Sequence, residues 1–123
     1  MRKYFGNWES RECVAQDFKE GAGNQYTVPF VPAEDFPTDD EMLLAAYGYG
    51  SYDGDAFVLY QRNGKLYEVH GSHCSCYGLE DQWIPEETTW EALKMRKAEH
   101  LLSSYSHEQE ARNAYNALLA AHE

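Results

Sequence analysis

The hydrophobic positions gather into two strand-like runs, residues 56–61 and 65–70, on either side of Asn63-Gly64. Asn-Gly accommodates the positive φ values of a two-residue type I′ turn, so the runs are expected to pair as an antiparallel hairpin in a single register. Phe57, Leu59, Leu66 and Val69 are assigned to the more apolar face, against Val58, Tyr60, Tyr67 and Glu68, although both sets contain hydrophobic residues. Residues 42–47 suit either a short helix after the Thr38-Asp39-Asp40-Glu41 start signal or a buried strand. Their length and Gly-rich exit favour the strand. Joined through residues 48–54, it completes a three-stranded antiparallel meander.

Helical spacing marks the two ends of the chain. Residues 8–20 carry Trp8, Val14, Ala15 and Phe18, and Gly21-Ala22-Gly23-Asn24 supplies a stop. Residues 26–32 hold β-formers, but Pro29 and Pro32 confine them to an edge strand or an extended loop. Residues 33–41 form a polar, acidic connector. Near the C-terminus, Thr88-Thr89-Trp90-Glu91 has the spacing of a capping box, followed by a stripe of Trp90, Leu93, Ala98, Leu101 and Leu102. Ser106-His107-Glu108-Gln109 repeats the signal ahead of Ala111, Ala114, Tyr115, Leu118 and Leu119. The two helices are expected to form a hairpin that turns at residues 103–105. The fold class expected is α+β: a three-stranded antiparallel meander packed with an N-terminal helix and a C-terminal helical hairpin, in one globular domain over residues 1–123.

Composition narrows the function classes. A chain of 123 residues is long enough to bury roughly two thirds of its unfolded surface. Ten Tyr, five Phe and three Trp supply a core that a disordered chain would lack. The 10 Lys and Arg stand against 21 Asp and Glu, a net charge of −11. That balance opposes direct contact with a nucleic-acid backbone, which requires clustered cations, and disfavours an anionic membrane surface. It favours solubility or attraction to a basic protein surface. No apolar run approaches the roughly 18 residues of a membrane span, and the basic start lacks the apolar stretch of a secretory signal. The three cysteines, Cys13, Cys74 and Cys76, argue against a disulfide framework and for a reducing interior.

Candidate chemistry concentrates in His70, His73, Cys74 and Cys76. Imidazole and thiolate are ligands that zinc prefers, but a one-residue gap between cysteines departs from the two-to-four-residue spacing of structural zinc sites. A packed turn with buried small thiols is the plainer reading; a zinc-stabilised module using His73, Cys74 and Cys76 is the alternative. A nucleophilic Cys74 or Cys76 ranks below both, because no base-orienting residue is evident nearby. The loop with Gly48, Gly50 and Gly54 lacks the Lys-Ser or Lys-Thr end of a phosphate-binding loop, and Asp53 and Asp55 would repel phosphate. Its Tyr49 and Tyr52 suit a contact surface. No cofactor is expected.

The words Gly54-Asp55-Ala56-Phe57-Val58-Leu59, Gly64-Lys65-Leu66-Tyr67-Glu68-Val69 and Gly71-Ser72-His73-Cys74-Ser75-Cys76-Tyr77-Gly78-Leu79-Glu80 are similar to small uncharacterised proteins encoded by bacteriophages. The likeness continues through Gln82-Trp83 and Pro85-Glu86-Glu87-Thr88-Thr89, about a third of the chain, and brings no catalytic residue with it. It implies an acidic protein acting in the cytoplasm of a bacterial host by binding a host protein with a basic surface. The target it suggests is an antiviral defence complex or the nucleic-acid groove of one. The residues expected to meet that partner are Asp35, Asp39, Asp40, Glu41, Asp53, Glu86 and Glu87 through charge, with Tyr49 and Tyr52 supplying contact area.

Overall fold

A computed structural model of the chain describes residues 3–6, 8–18, 21–22, 31–32, 34–47, 53–74, 79, 82–95 and 108–121. In chain order the elements are β1 (Tyr4–Gly6), α1 (Arg11–Phe18), β2 (Gly21–Ala22), β3 (Val31–Pro32), β4 (Met42–Tyr47), β5 (Asp53–Arg62), β6 (Lys65–Cys74), β7 (Glu86–Thr88), α2 (Trp90–Met95) and α3 (Glu108–Ala121). The Asn63-Gly64 turn forms as its chemistry predicts, with φ of 55° and 77°. It sets the register of β5 on β6, from Arg62 opposite Lys65 to Asp53 opposite Cys74.

The meander exists as β4, β5 and β6, but it is the middle of a larger sheet. The order is β1-β4-β5-β6-β7, with β1 parallel to β4 and the other pairs antiparallel. The expected three strands are therefore five. Segments of three residues, such as β1 and β7, are too short to show an alternation, and only pairing with a neighbour makes them strands. The β2–β3 pair forms a separate two-stranded ladder, so Gly21-Ala22, expected as a helix stop, lies in a strand. Residues 23–30 lie outside the described residues.

Both faces of the sheet are covered, which explains why residues 56–60 are all buried. Phe57, Leu59 and Leu66 join Phe5, Leu44 and Ala46 under Leu93 of α2 and Ala111 and Tyr115 of α3. On the other face Ala45, Ala56, Val58, Tyr60 and Val69 meet Trp8, Val14, Ala15, Phe18, Phe36 and Leu79. The two are called the helical face and the turn face below. Val69 and Glu68 have exchanged the places expected of them. A two-residue turn pairs Leu59 with Glu68 and Val58 with Val69, so Glu68 follows Leu59 beneath the helices. Register outranks hydrophobicity here. A register shift between Met42 and Leu44 likewise sends Met42 to the turn face while Leu44 stays on the helical one.

Local signals act where expected, though shifted at the ends. The N-terminal helix, Arg11–Phe18, starts at Arg11 rather than at residue 8, and residues 19–20 lie outside the described residues; the Ser10 Oγ accepts from the Cys13 N–H at 3.4 Å. The cap of α2 is Thr89, whose Oγ1 accepts from the Ala92 N–H at 3.0 Å, while Thr88 remains in β7. Helix α3 buries Ala111 and Tyr115 and packs Ala114, Leu118 and Leu119 on the core, the stripe read from the sequence. The Tyr115 hydroxyl donates to the Leu93 carbonyl at 3.1 Å and so ties α3 to α2. Of the expected helical hairpin, the described residues hold these two helices; Ala98, Leu101, Leu102 and the turn at residues 103–105 lie outside them.

Candidate functional site

Thr38-Asp39-Asp40-Glu41 reads as a helix start, and the capping box forms. The Thr38 N–H donates to Glu41 Oε1 at 2.8 Å, and the Glu41 N–H donates back to Thr38 Oγ1 at 3.3 Å. One turn is completed, since the Met42 N–H reaches the Thr38 carbonyl at 3.0 Å. No helix follows, because residues 42–47 are claimed on both edges by β1 and β5. The result is a capped acidic turn leading directly into a strand.

Cations from three places distant in sequence hold this turn, mainly by its backbone oxygens. Lys3 Nζ donates to the carbonyls of Asp39 (2.6 Å) and Met42 (3.2 Å). Arg11 of α1 donates to the Pro37 carbonyl at 2.6 Å and the Phe36 carbonyl at 3.4 Å. Arg62 at the end of β5 donates to the Asp35 carbonyl, to the Phe36 carbonyl at 3.4 Å, and to Glu41 Oε2 at 3.0 Å. Two of the predicted carboxylates are thereby committed inside the molecule. Glu41 is half-buried, and the Thr38 N–H and then the Arg62 guanidinium hold its carboxyl below the usual range against the opposing effect of burial. Asp39 accepts from the Tyr4 hydroxyl at 2.6 Å and lies 3.9 Å from Lys3 Nζ. Burial, together with Asp39, pushes the Tyr4 hydroxyl well above the ordinary tyrosine range.

The other carboxylates of the turn face outward. Glu34, Asp35 and Asp40 are exposed, as is Asp39. Glu86 and Glu87 belong to a different place, the edge strand β7, where Glu87 lies 3.6 Å from Lys65. Asp53 opens β5 opposite Cys74, and His73 lies opposite Gly54. The side chains of Asp53, His73 and Cys74 fall outside the described residues, as do Tyr49, Tyr52 and Cys76 altogether. Among the described residues no group of three His, Cys, Asp or Glu side chains could hold a metal ion. The predicted partner-binding residues that are described thus separate into the turn, the β7 edge and the start of β5.

A second polar feature arises on the helical face. Glu68 is the one charged side chain buried among the described residues, and its Oε1 lies 2.6 Å from His70 Nε2. The carboxylate side chain is 4% exposed and the imidazole 42%. The His70 ring also packs on Phe57, with centroids 5.1 Å apart. His70 opens on a recess of about 260 Å³ lined by Gln82, Ile84 and Glu86. A buried carboxylate that orients an accessible imidazole can hold or pass a proton, and Glu86 is the one ionisable side chain among these three lining residues.

Sequence reasoning missed Lys3, Arg11 and Arg62, because each meets the turn from at least 20 residues away. It could have found Glu68, since the two-residue turn alone puts that charge on the apolar side of the hairpin. No family model, curated protein or solved structure matches the chain.

Proposed function

We propose that the chain is a protein-binding module whose acidic turn, residues 34–41, engages a basic protein surface. The observation that carries this reading is the way Lys3, Arg11 and Arg62 use their donors. They hold the carbonyls of residues 35–37, 39 and 42, while the carboxylates of Glu34, Asp35 and Asp40 stay at the surface. A turn ordered before it binds loses less conformational entropy on association, and complementary charge raises the encounter rate. The likeness to phage-encoded proteins supports a partner in a bacterial host, and a defence complex with a basic groove fits the charge. On this reading the protein inhibits that complex by occupying its surface and performs no catalysis.

The test uses charge reversal at the outward acids alone. Reversing Asp39 or Glu41 would also break the contacts to Lys3, Tyr4 and Arg62, so Glu34→Lys, Asp35→Lys and Asp40→Lys are the informative changes. The triple variant is expected to keep its melting temperature and lose capture of the partner recovered from bacterial lysate. Capture by the unmodified chain is expected to weaken as salt rises, because screening acts over about 8–10 Å. Capture that ignores both salt and the reversals would overturn this reading.

A further inference from the structure

The acidic turn adjoins a row of aromatic rings on the turn face. Phe36, within the turn, lies 4.7 Å from Trp83, which stands edge-on to Phe18 at 5.0 Å. Trp83 stacks on Tyr60 with centroids 5.9 Å apart and planes 12° apart, and Tyr60 stacks on Tyr67 at 5.2 Å and 22°. Tyr60 is buried, whereas Tyr67 and Trp83 are half-buried. Part of each of those two rings therefore remains at the surface. Arg62, its partner Glu41 and Asp35 all lie close enough to act on the Tyr60 hydroxyl. Glu87, 3.6 Å from Lys65, stands opposite Tyr67 in the β6–β7 register. Asp35 is thus the carboxylate of this rim that pairs with no cation side chain among the described residues. Exposed aromatic area rimmed by carboxylates selects a cation that can also stack on a ring.

The molecule already uses that mode internally. The Arg11 guanidinium carbon lies 5.7 Å from the centroid of the Phe36 ring, while its Nε donates to the Pro37 carbonyl at 2.6 Å. One planar cation thus covers a ring of the row and bonds the acidic turn at once. A lysine, with its compact and strongly hydrated ammonium, does this less well.

We propose that the half-buried rings of Tyr67 and Trp83, flanked by the acidic turn, form a surface that reads arginine side chains of a protein partner in preference to lysine. This deepens the binding function proposed above and rests on it. The guanidinium stacks on the ring row, and the carboxylates supply charge.

The experiment titrates the full chain with an oligo-arginine and an oligo-lysine of equal length. The arginine peptide is expected to bind roughly 2- to 5-fold more tightly, the value of one exposed cation–ring contact. Tyr67→Leu should bring the two peptides to parity, while Tyr67→Phe, which keeps the ring, should preserve the preference. In the unmodified chain the Trp83 indole N–H resonance should shift with oligo-arginine and much less with oligo-lysine, a readout independent of whether Tyr67→Leu folds. Equal binding of both peptides, or a preference that survives in folded Tyr67→Leu, overturns the arginine surface. Oligo-lysine binding that Asp35→Lys and Asp40→Lys abolish would leave the acidic-turn function standing in that case. Binding of neither peptide overturns both.

Discussion

The two faces of the sheet share the same strands but are built differently. On the helical face, strand residues such as Leu44, Leu59 and Leu66 lie under Leu93, Ala111 and Tyr115, and the covering elements are helices with a regular apolar stripe. The turn face is aromatic, with Trp8, Phe18, Phe36, Tyr60 and Trp83, and its cover joins α1 to irregular chain from residues 34–37 and 82–83. Irregular backbone has no ladder to satisfy its carbonyls, so Arg11 and Arg62 satisfy them instead. The difference explains where recognition belongs. Helices cover both faces by apolar area, but on the turn face the irregular segment at residues 34–37 also brings cations, carboxylates and ring edges to the surface together.

The strongest challenge to this division is a cavity on the helical face. Leu59→Ala removes a fully buried side chain and is expected to cost about 2–5 kcal/mol in urea unfolding. The fraction that stays folded should bind its partner as before. Loss of affinity in folded Leu59→Ala would mean that the two faces are not functionally separate.

Arg62→Leu comes next and probes the other side. It strips Glu41 of its guanidinium and leaves the carbonyls of Asp35 and Phe36 without this donor. A loss of about 1–3 kcal/mol is expected, accompanied by faster amide exchange in residues 38–42 and weaker partner binding. A variant that loses stability but keeps both the exchange protection and the affinity would show that the turn does not depend on this clamp.

Alkaline titration follows, because Tyr4 and Tyr60, whose hydroxyls are pushed up by burial, belong to the turn face. Burial above all pushes Tyr60 from 10.0 to about 12. The unfolded chain gives up that proton first, so the contribution is complete below pH 10 and lost as pH rises through about 12. Tyr60→Phe should flatten the decline between those values. An unchanged alkaline limb in denaturant midpoints would remove Tyr60 as its source.

The smallest effect concerns Glu41, whose folded value lies below the ordinary 4.5. Its contribution is present above that ordinary value and disappears as pH falls through the lower folded one. Glu41→Gln is expected to shorten the acid limb of stability without touching the alkaline one. Equal acid limbs in the two proteins would count against the Thr38 and Arg62 contacts as its cause.

What the sequence determined by itself is local. Asn63-Gly64 dictates the turn and, by requiring Arg62 opposite Lys65, the facing of every residue in β5 and β6. Ser10, Thr38 and Thr89 cap the turns that follow them, since the donors they satisfy lie three residues on. The α3 stripe is readable from helical period alone. Tertiary structure decided the rest. Whether the Thr38 box would begin a helix depended on β1 and β5 competing for the backbone of residues 42–47. Tyr4–Gly6 and Glu86–Thr88 became strands only because β4 and β6 offered open edges. The acidic run reads as five similar carboxylates in sequence. The fold made two of them structural and left three outward, because Lys3, Tyr4 and Arg62 reach the carboxylates of Asp39 and Glu41. Charge along a chain is a local property, but the distances between charges are set by folding.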